Sequence, residues 1–297
     1  MPPLRVATRG SRLALRQVQL VSELLGVRVE PVVVSTAGDR RSSVPLRVIA
    51  GSGAFAGDVR DALVAGAADL AVHSAKDLPP RPDPRLDIVA FPPRADARDA
   101  LVGATLAALP RGAVVGTGAP RRRAQLRGLR PDLRFGELRG NIDTRLRRAT
   151  AFDAVVVAMA ALHRLSIVPD GVVQPLPVDE VIPQVGQGAL AVEARRDDRA
   201  MRLLLSRIDD TPTRAAVTAE RAFLARLGGD CDLPAGAFAT VRGDGLVIVD
   251  SVLADAHGTL HRASTRGTDP ASVGDAAALA QLGALDVRRS VSVPASA

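Results

Sequence analysis

Three groups of residues in this chain of 297 could do chemistry. The first is the run His73-Ser74-Ala75-Lys76-Asp77, which sets an ammonium beside a carboxylate. Asp77 reads either as a catalytic acid or as half of a surface Lys–Asp pair; a position at the end of a predicted strand favours catalysis. Ser74, Lys76 and Asp77 then project into the presumed cleft. Lys76 is the one lysine among 39 basic residues. A GC-rich coding bias accounts for most of that skew toward Arg. Lys and Arg nevertheless differ in shape and hydration, so a retained Lys points to a specific role. His73 reads as a satisfied structural residue.

The second is Cys231, the only thiol, in Arg226-Leu-Gly-Gly-Asp-Cys-Asp-Leu-Pro-Ala-Gly236. Free cysteines are usually buried and inert, whereas Gly228, Gly229, Asp230, Asp232 and Pro234 are turn formers that mark an exposed loop. From these residues alone both readings stand. A single cysteine forms no internal disulfide, which suits a reducing cytoplasm.

The third is a set of arginines. Arg9 with Ser11, Thr117 with Arg121 and Arg122, and Arg139 with Asn141 and Arg145 all fall at predicted strand-to-helix turns. Helix N-termini there offer unpaired N–H groups and partial positive charge, and an added guanidinium fork suits carboxylate or phosphate. The competing reading is solvated helix faces, which is kept for Arg123, Arg127, Arg147 and Arg148. Residues 111–150 hold eleven Arg against Asp132, Glu137 and Asp143, a balance of +8 in a chain of net charge +7, so the remainder is close to neutral. With no Trp or Tyr and six Phe there is little for base stacking, so small anions rather than nucleic acid are the expected partners. No Walker loop, GxGxxG or HExxH is present and the four His are dispersed, so no metal is expected.

The elements that must position these groups follow from hydrophobic periodicity. A strand over Leu4–Ala7 leads through Thr8-Arg9-Gly10-Ser11, with Ser11 as N-cap, into a helix carrying Leu13, Val18, Val21, Leu24 and Leu25. A β run over Val27–Ser35, a helix over Phe55–Val64 and a strand over Asp69–His73 complete a βαβαβ pattern, which implies a parallel sheet flanked by helices. A second such unit spans Ala113–Val157, with helices over Arg121–Leu129 and Asn141–Arg148. Pro-rich stretches at Leu78–Pro84 and Pro92–Arg98 mark one crossing between the units, and Val185–Gly188 a return. Beyond Thr211 the spacing predicts a helix over Thr213–Leu227 ended by Gly228. Three alternating runs, Ala237–Arg242, Leu246–Leu253 and Leu260–Thr265, then suit an antiparallel sheet, followed by a helix near Asp275–Leu282. No apolar run approaches the roughly 18 residues of a membrane span, and MPPLRVATRGS lacks the apolar centre of a signal peptide.

Taken together, the blocks VATRGSRLAL, GAADLAVHSAKDLP, VVGTGAPRRRAQL, LRGNIDTRL, VGQGALAVEAR and TAERAFLARLGGDCDLPAG resemble the porphobilinogen deaminase family, in its order and at its spacing over nearly the whole chain. The resemblance implies two similar periplasmic-binding-protein-like α/β domains around a cleft plus a small C-terminal α+β domain with a three-stranded antiparallel sheet. The expected boundaries are 1–92 plus 189–206, 97–183 and 211–297. It implies a cytoplasmic, monomeric transferase that condenses four porphobilinogen molecules head to tail, with loss of ammonia, to linear hydroxymethylbilane. Cys231 would hold a dipyrromethane cofactor by a thioether, and Asp77 would be the catalytic residue. Lys76, Ser74, Thr117, Arg121, Arg122 and Arg145 would bind the cofactor. Arg9, Ser11, Arg139, Arg164 and Gln187 would bind substrate, with Gln187 at the hinge.

The chain departs from the family's pattern at Val48 and Ser52, where lysines are usual, at Gly118 and Ala119, where the turn usually reads Thr-Ser-Ser, and at Asp230, where Gly is usual. Arg40, Arg41 and Arg47 are candidates to compensate for the missing lysines. The acids flanking Cys231 should raise its thiol pKa. An inactive homologue or a non-catalytic small-anion-binding protein are the rival readings.

Overall fold

The computed structural model describes residues 2–40, 55–228 and 233–291. Cys231, Asp230, Arg41, Arg47, Val48 and Ser52 lie outside the described residues. In chain order the elements begin with β1 (Leu4–Arg9), α1 (Arg12–Leu25), β2 (Val29–Val34), α2 (Ala37–Arg40), α3 (Gly57–Val64), β3 (Leu70–Ser74) and β4 (Leu86–Ala90). Then come β5 (Asp99–Gly103), β6 (Val114–Gly116), α4 (Pro120–Leu129), β7 (Arg134–Gly136), α5 (Ile142–Arg147), β8 (Ala154–Ala158), α6 (Met159–Arg164) and β9 (Val172–Pro175). The chain closes with β10 (Leu190–Arg195), α7 (Arg199–Leu205), α8 (Thr211–Arg226), β11 (Ala235–Val241), β12 (Val247–Ala254), β13 (Leu260–Gly267) and α9 (Pro270–Val291).

These form a five-stranded sheet of order β2-β1-β3-β10-β4, a second of order β7-β6-β8-β5-β9, and an antiparallel three-stranded sheet β11-β12-β13. The expected parallel pairing holds only in part. β1 runs parallel to β2 and β3, and β6 to β7 and β8, where crossover helices join the strands. β10 is antiparallel to β3 and β4, and β5 is antiparallel to β8 and β9. The reason lies in the route. β10 re-enters the first sheet only after the chain has traversed the second, so it arrives from the opposite end.

Local signals set the helix ends. Ser11 Oγ accepts from Ala14 N at 3.2 Å, and Gly26, at φ 65, ends α1 in the left-handed conformation. Val18 and Val21 of α1 pack with Val6, Leu70 and Val192 in the first sheet's core. Val115, Leu126 and Val156 form the second core, and Phe223, Val249 and Ala277 the third. The last helix runs well past the expected Asp275–Leu282, because its alanine-rich sequence continues to favour helix. Among the described residues no helix is long and apolar enough to cross a membrane.

One buried carboxylate joins the three sheets. Glu220, on α8, accepts from Arg94 Nη1 and Nη2 at 2.6 and 3.2 Å, from Gly186 N at 2.7 Å and from Ala239 N at 2.9 Å. Arg94 and Gly186 lie on the two crossing stretches, and Ala239 lies on β11, so one side chain gathers both crossings and the third sheet. Arg94 Nε also donates to Gln187 O at 2.9 Å. Breaking a buried pair leaves an uncompensated charge. Glu220→Gln should therefore destabilise the fold by about 3 kcal/mol in urea unfolding; a midpoint within error of the parent would show that the lock contributes nothing.

Candidate active site

β3, the central strand of its sheet, ends at Ser74, and a single 3-10 turn, Ala75–Asp77, carries the chain out at the strand's carboxyl end. Ser74 Oγ accepts from Gln17 Nε2 at 2.9 Å, which fixes α1 to the turn. Gly186 seals its other side: a Cβ there would stand 3.0 Å from both Ala75 C and Lys76 N, and the φ of 72 also favours glycine. Lys76 Nζ donates to Gln187 Oε1 at 3.2 Å. Lys76 is half-buried by surface area, yet its ammonium end is crowded by protein. Burial above all pulls its pKa down to about 8; Arg122 and Arg145 act in the same direction against Asp77 and Asp99. Behind the turn, buried Glu193 receives Arg60 through Nε and Nη2 at 2.9 and 2.6 Å. His73 Nε2 lies 3.2 Å from Glu193 but off the hydrogen-bonding line. Burial opposes the charge on Glu193, yet His73 and Arg60 hold its pKa at about 2.

Across from this turn, α4 presents Arg121 and Arg122, both buried. Arg121 donates to Asp99 Oδ2 at 2.8 Å and to Ile182 O at 2.6 Å. Arg122 donates to Asp99 Oδ1 through Nη2 at 2.6 Å and Nε at 3.1 Å, and to Val156 O at 2.9 Å. Gln187 Nε2 adds a further bond to Asp99 Oδ1 at 2.9 Å and one to Ala97 O at 2.8 Å. Burial alone would raise the Asp99 pKa, but the two guanidiniums hold it well below the usual carboxylate range. Arg121 and Arg122, expected to offer their forks to a ligand's carboxylates, here pair with the carboxylate of Asp99. Their charges are organised around a carboxylate the sequence did not single out.

The remaining arginines stand nearer the surface. Asn141 caps α5 by accepting from Thr144 N at 2.9 Å, and Arg145, on the same helix, donates Nε to Gly140 O at 2.8 Å. Arg145 has its pKa lowered to about 10, first by burial and then by Arg122 and Arg139, with Asp77 and Glu137 opposing. Burial likewise lowers Arg164 to about 10, while its Nη2 donates to Gly188 O at 2.7 Å on the return crossing. Arg9 lies over the Phe55 ring, 4.3 Å from its centroid. Thr117 is buried, with its N donating to Gly136 O at 2.9 Å and its Oγ1 accepting from Ala119 N at 3.3 Å.

The electrostatic couplings show what the fold brings together. Arg122 and Arg145 from the second sheet act on Lys76 from the first, and Asp77 acts on both Lys76 and Arg145. Cations outnumber acids here, and like charges press on one another, which is the condition a polycarboxylate ligand would relieve. Ser11 caps α1 by accepting at Oγ, and its hydroxyl proton can still donate to a carboxylate. Arg123, expected on a solvated face, is part-exposed and donates to Glu137 Oε2 at 2.6 Å and twice to Thr117 O. Among the described residues no group of His, Cys, Asp and Glu could hold a metal ion.

A family model described as porphobilinogen deaminase, dipyromethane cofactor binding domain, matches residues 4–203, and one described as porphobilinogen deaminase, C-terminal domain, matches 214–283. The chain is similar to the porphobilinogen deaminase of Roseiflexus sp. (strain RS-1), 47% identical over 93% of this chain and 94% of that protein. It is 48% identical to that of Acidothermus cellulolyticus (strain ATCC 43068 / DSM 8971 / 11B) over 89% of this chain and 83% of the relative. A TRAP periplasmic solute binding protein from Pseudomonas aeruginosa PAO1 with bound L-malate aligns over 76% of this chain and 91% of its own at 15% identity and TM-score 0.34, too slight a likeness to bear on function.

The depressed Lys76 pKa has a signed consequence. Between about 8 and the ordinary 10.5 the unfolded chain holds a proton at this residue that the folded chain does not, so stability rises with pH through that window. Below it the full cost of the crowded ammonium is present. Lys76→Met should accordingly be more stable than the parent at pH 7, with the advantage shrinking between pH 8 and 10.5. Urea unfolding across that range checks this, and a pH-independent difference would refute it.

Proposed function

The chain belongs to the porphobilinogen deaminase family, and on that premise we propose that it is a transferase condensing four porphobilinogen molecules head to tail into hydroxymethylbilane. The observation that carries this reading is the hydrogen-bonded connection from Lys76, beside Asp77, through Gln187 and Asp99 to Arg122, which brings cations of the two large sheets together. Each porphobilinogen brings an acetate and a propionate, and a cleft in which cations outnumber acids suits such a substrate.

A dipyrromethane fits the donor set, because its carboxylates need the kind of cations that crowd one another here. We propose that Lys76, Ser74, Thr117, Arg121, Arg122 and Arg145 hold it, with its thioether on Cys231. Bound there, it supplies the pyrrole carbon onto which units are added. Arg9, Ser11, Arg139, Arg164 and Gln187 are proposed to take the carboxylates of the incoming unit. As the aminomethyl C–N bond breaks and ammonia leaves, positive charge develops on the substrate pyrrole. The Asp77 carboxylate stabilises that charge and assists the proton transfer that accompanies departure of the amine. Preorganised charge of this kind is usually the largest catalytic contribution. Lys76 and Arg145, near Asp77, orient the substrate's carboxylates.

We further propose three domains, 1–92 plus 189–206, 97–183 and 211–297, in a cytoplasmic monomer that works without metal. The domain division is supported by the separate sheets and cores, and the compartment by the single cysteine. Intact mass of protein from cells that make porphobilinogen should show an adduct of two pyrrole units on the parent and none on Cys231→Ser; an unmodified parent would defeat the enzymatic reading. Asp77→Ala should keep the adduct and lose turnover by about a hundredfold or more, whereas ordinary tetrapyrrole output would remove Asp77 from its role.

A further inference from the structure

Glu137 stands among the arginines without belonging to the ligand-binding set. Thr117 follows β6 and Glu137 follows β7, at the carboxyl ends of two parallel neighbours, and the backbone joins them through Thr117 N donating to Gly136 O at 2.9 Å. Gly118 makes room for the acid: a Cβ there would lie 2.6 Å from Glu137 Oε1 and 3.2 Å from Leu138 O. On its other side Glu137 Oε2 accepts from Arg123 Nη2 at 2.6 Å, and the same guanidinium folds back onto Thr117 O through Nε and Nη2 at 2.9 and 2.7 Å. The side chains of this pair remain 33% and 57% exposed, so its contribution to folding is small, of the order of an ordinary surface pair. Glu137 also acts on Arg145, where its charge opposes the repulsion from Arg122 and Arg139.

We propose that Glu137 tunes substrate affinity: an intrinsic carboxylate, admitted by Gly118 and held by Arg123 at the Thr117 turn, it offsets part of the positive field of this wall and so weakens the cleft's hold on each substrate carboxylate. The inference rests on the reading that this wall binds acetate and propionate groups. Its physical use is turnover. Attraction that is equally strong for substrate and transition state lowers KM without raising kcat, and a wall at full strength would retain the anionic product. A solvated carboxylate acts through a screened field, with a Debye length of about 10 Å at 0.1 M salt, so the effect must fade as salt rises.

The test is steady-state turnover of porphobilinogen by the full-length, cofactor-loaded protein and by Glu137→Gln, with Glu30→Gln, an exposed acid on β2, as a control for charge alone. At low salt Glu137→Gln should lower KM by about threefold, with kcat unchanged or reduced, and the difference should close near 0.5 M salt; Glu30→Gln should move neither parameter. An unchanged KM at low salt in Glu137→Gln, a shift that persists at high salt, or an equal shift in Glu30→Gln would each overturn the proposal. Loss of all turnover in Glu137→Gln would also overturn it, by making the residue part of the chemistry. A parent that carries no adduct and turns nothing over would defeat the broader reading instead, which separates the two failures.

Discussion

The cleft depends on one buried carboxylate. Asp99 begins β5, is wholly inaccessible, and receives Arg121, Arg122 and Gln187. Withdrawing a carboxylate and two guanidiniums from water is costly, and the geometry offsets that cost only because nearly every lone pair meets a donor. The knot fixes α4 to β5 and reaches through Gln187 to Lys76, one residue from Asp77. The turn that carries the acid and the helix that carries the arginines are thus referenced to the same two oxygens. A small displacement of either would be felt by the other.

Around that knot, charge is distributed by depth. Ions fully inside the protein are matched, as in Glu193 with Arg60 and Glu220 with Arg94. At the level of Lys76, Arg122 and Arg145 the balance tips positive, and burial together with mutual repulsion lowers the pKa values of Lys76 and Arg145. A site of this kind is under electrostatic stress when empty, so a bound polyanion adds to the stability of the folded state as well as occupying the site.

What was legible in the sequence was local. Ser11 as a cap, Gly228 as a terminator and the β-turn rhythm of β11 to β13 depend on neighbours a few positions away. The arginines at strand ends were legible as positions, and their surroundings were not. Asp99 lies 88 residues from Gln187, and Arg94 lies 126 from Glu220. No periodicity announces a pair at such a distance, and an aspartate in the run Arg-Asp-Ala reads as an ordinary surface acid. The Arg123–Glu137 pair was illegible for a related reason: the gap beside Gly118 that lets Glu137 approach exists only once β6 and β7 are paired. The antiparallel members of both large sheets were missed because pairing direction follows from the path of the chain, which hydrophobic alternation does not encode.

β10 lies between β3 and β4, yet it is made of residues 190–195. As the chain leaves the ribosome, β1 to β4 emerge first and wait for their middle strand until more than half the protein has been synthesised. The second sheet, whose strands all fall between residues 99 and 175, can close during that interval. Domains generally fold as units as they emerge, so the inserted unit is complete before the host that surrounds it. The first sheet meanwhile presents the unpaired edges of β3 and β4, a stretch of biosynthesis in which strand capture by another chain competes with the arrival of β10.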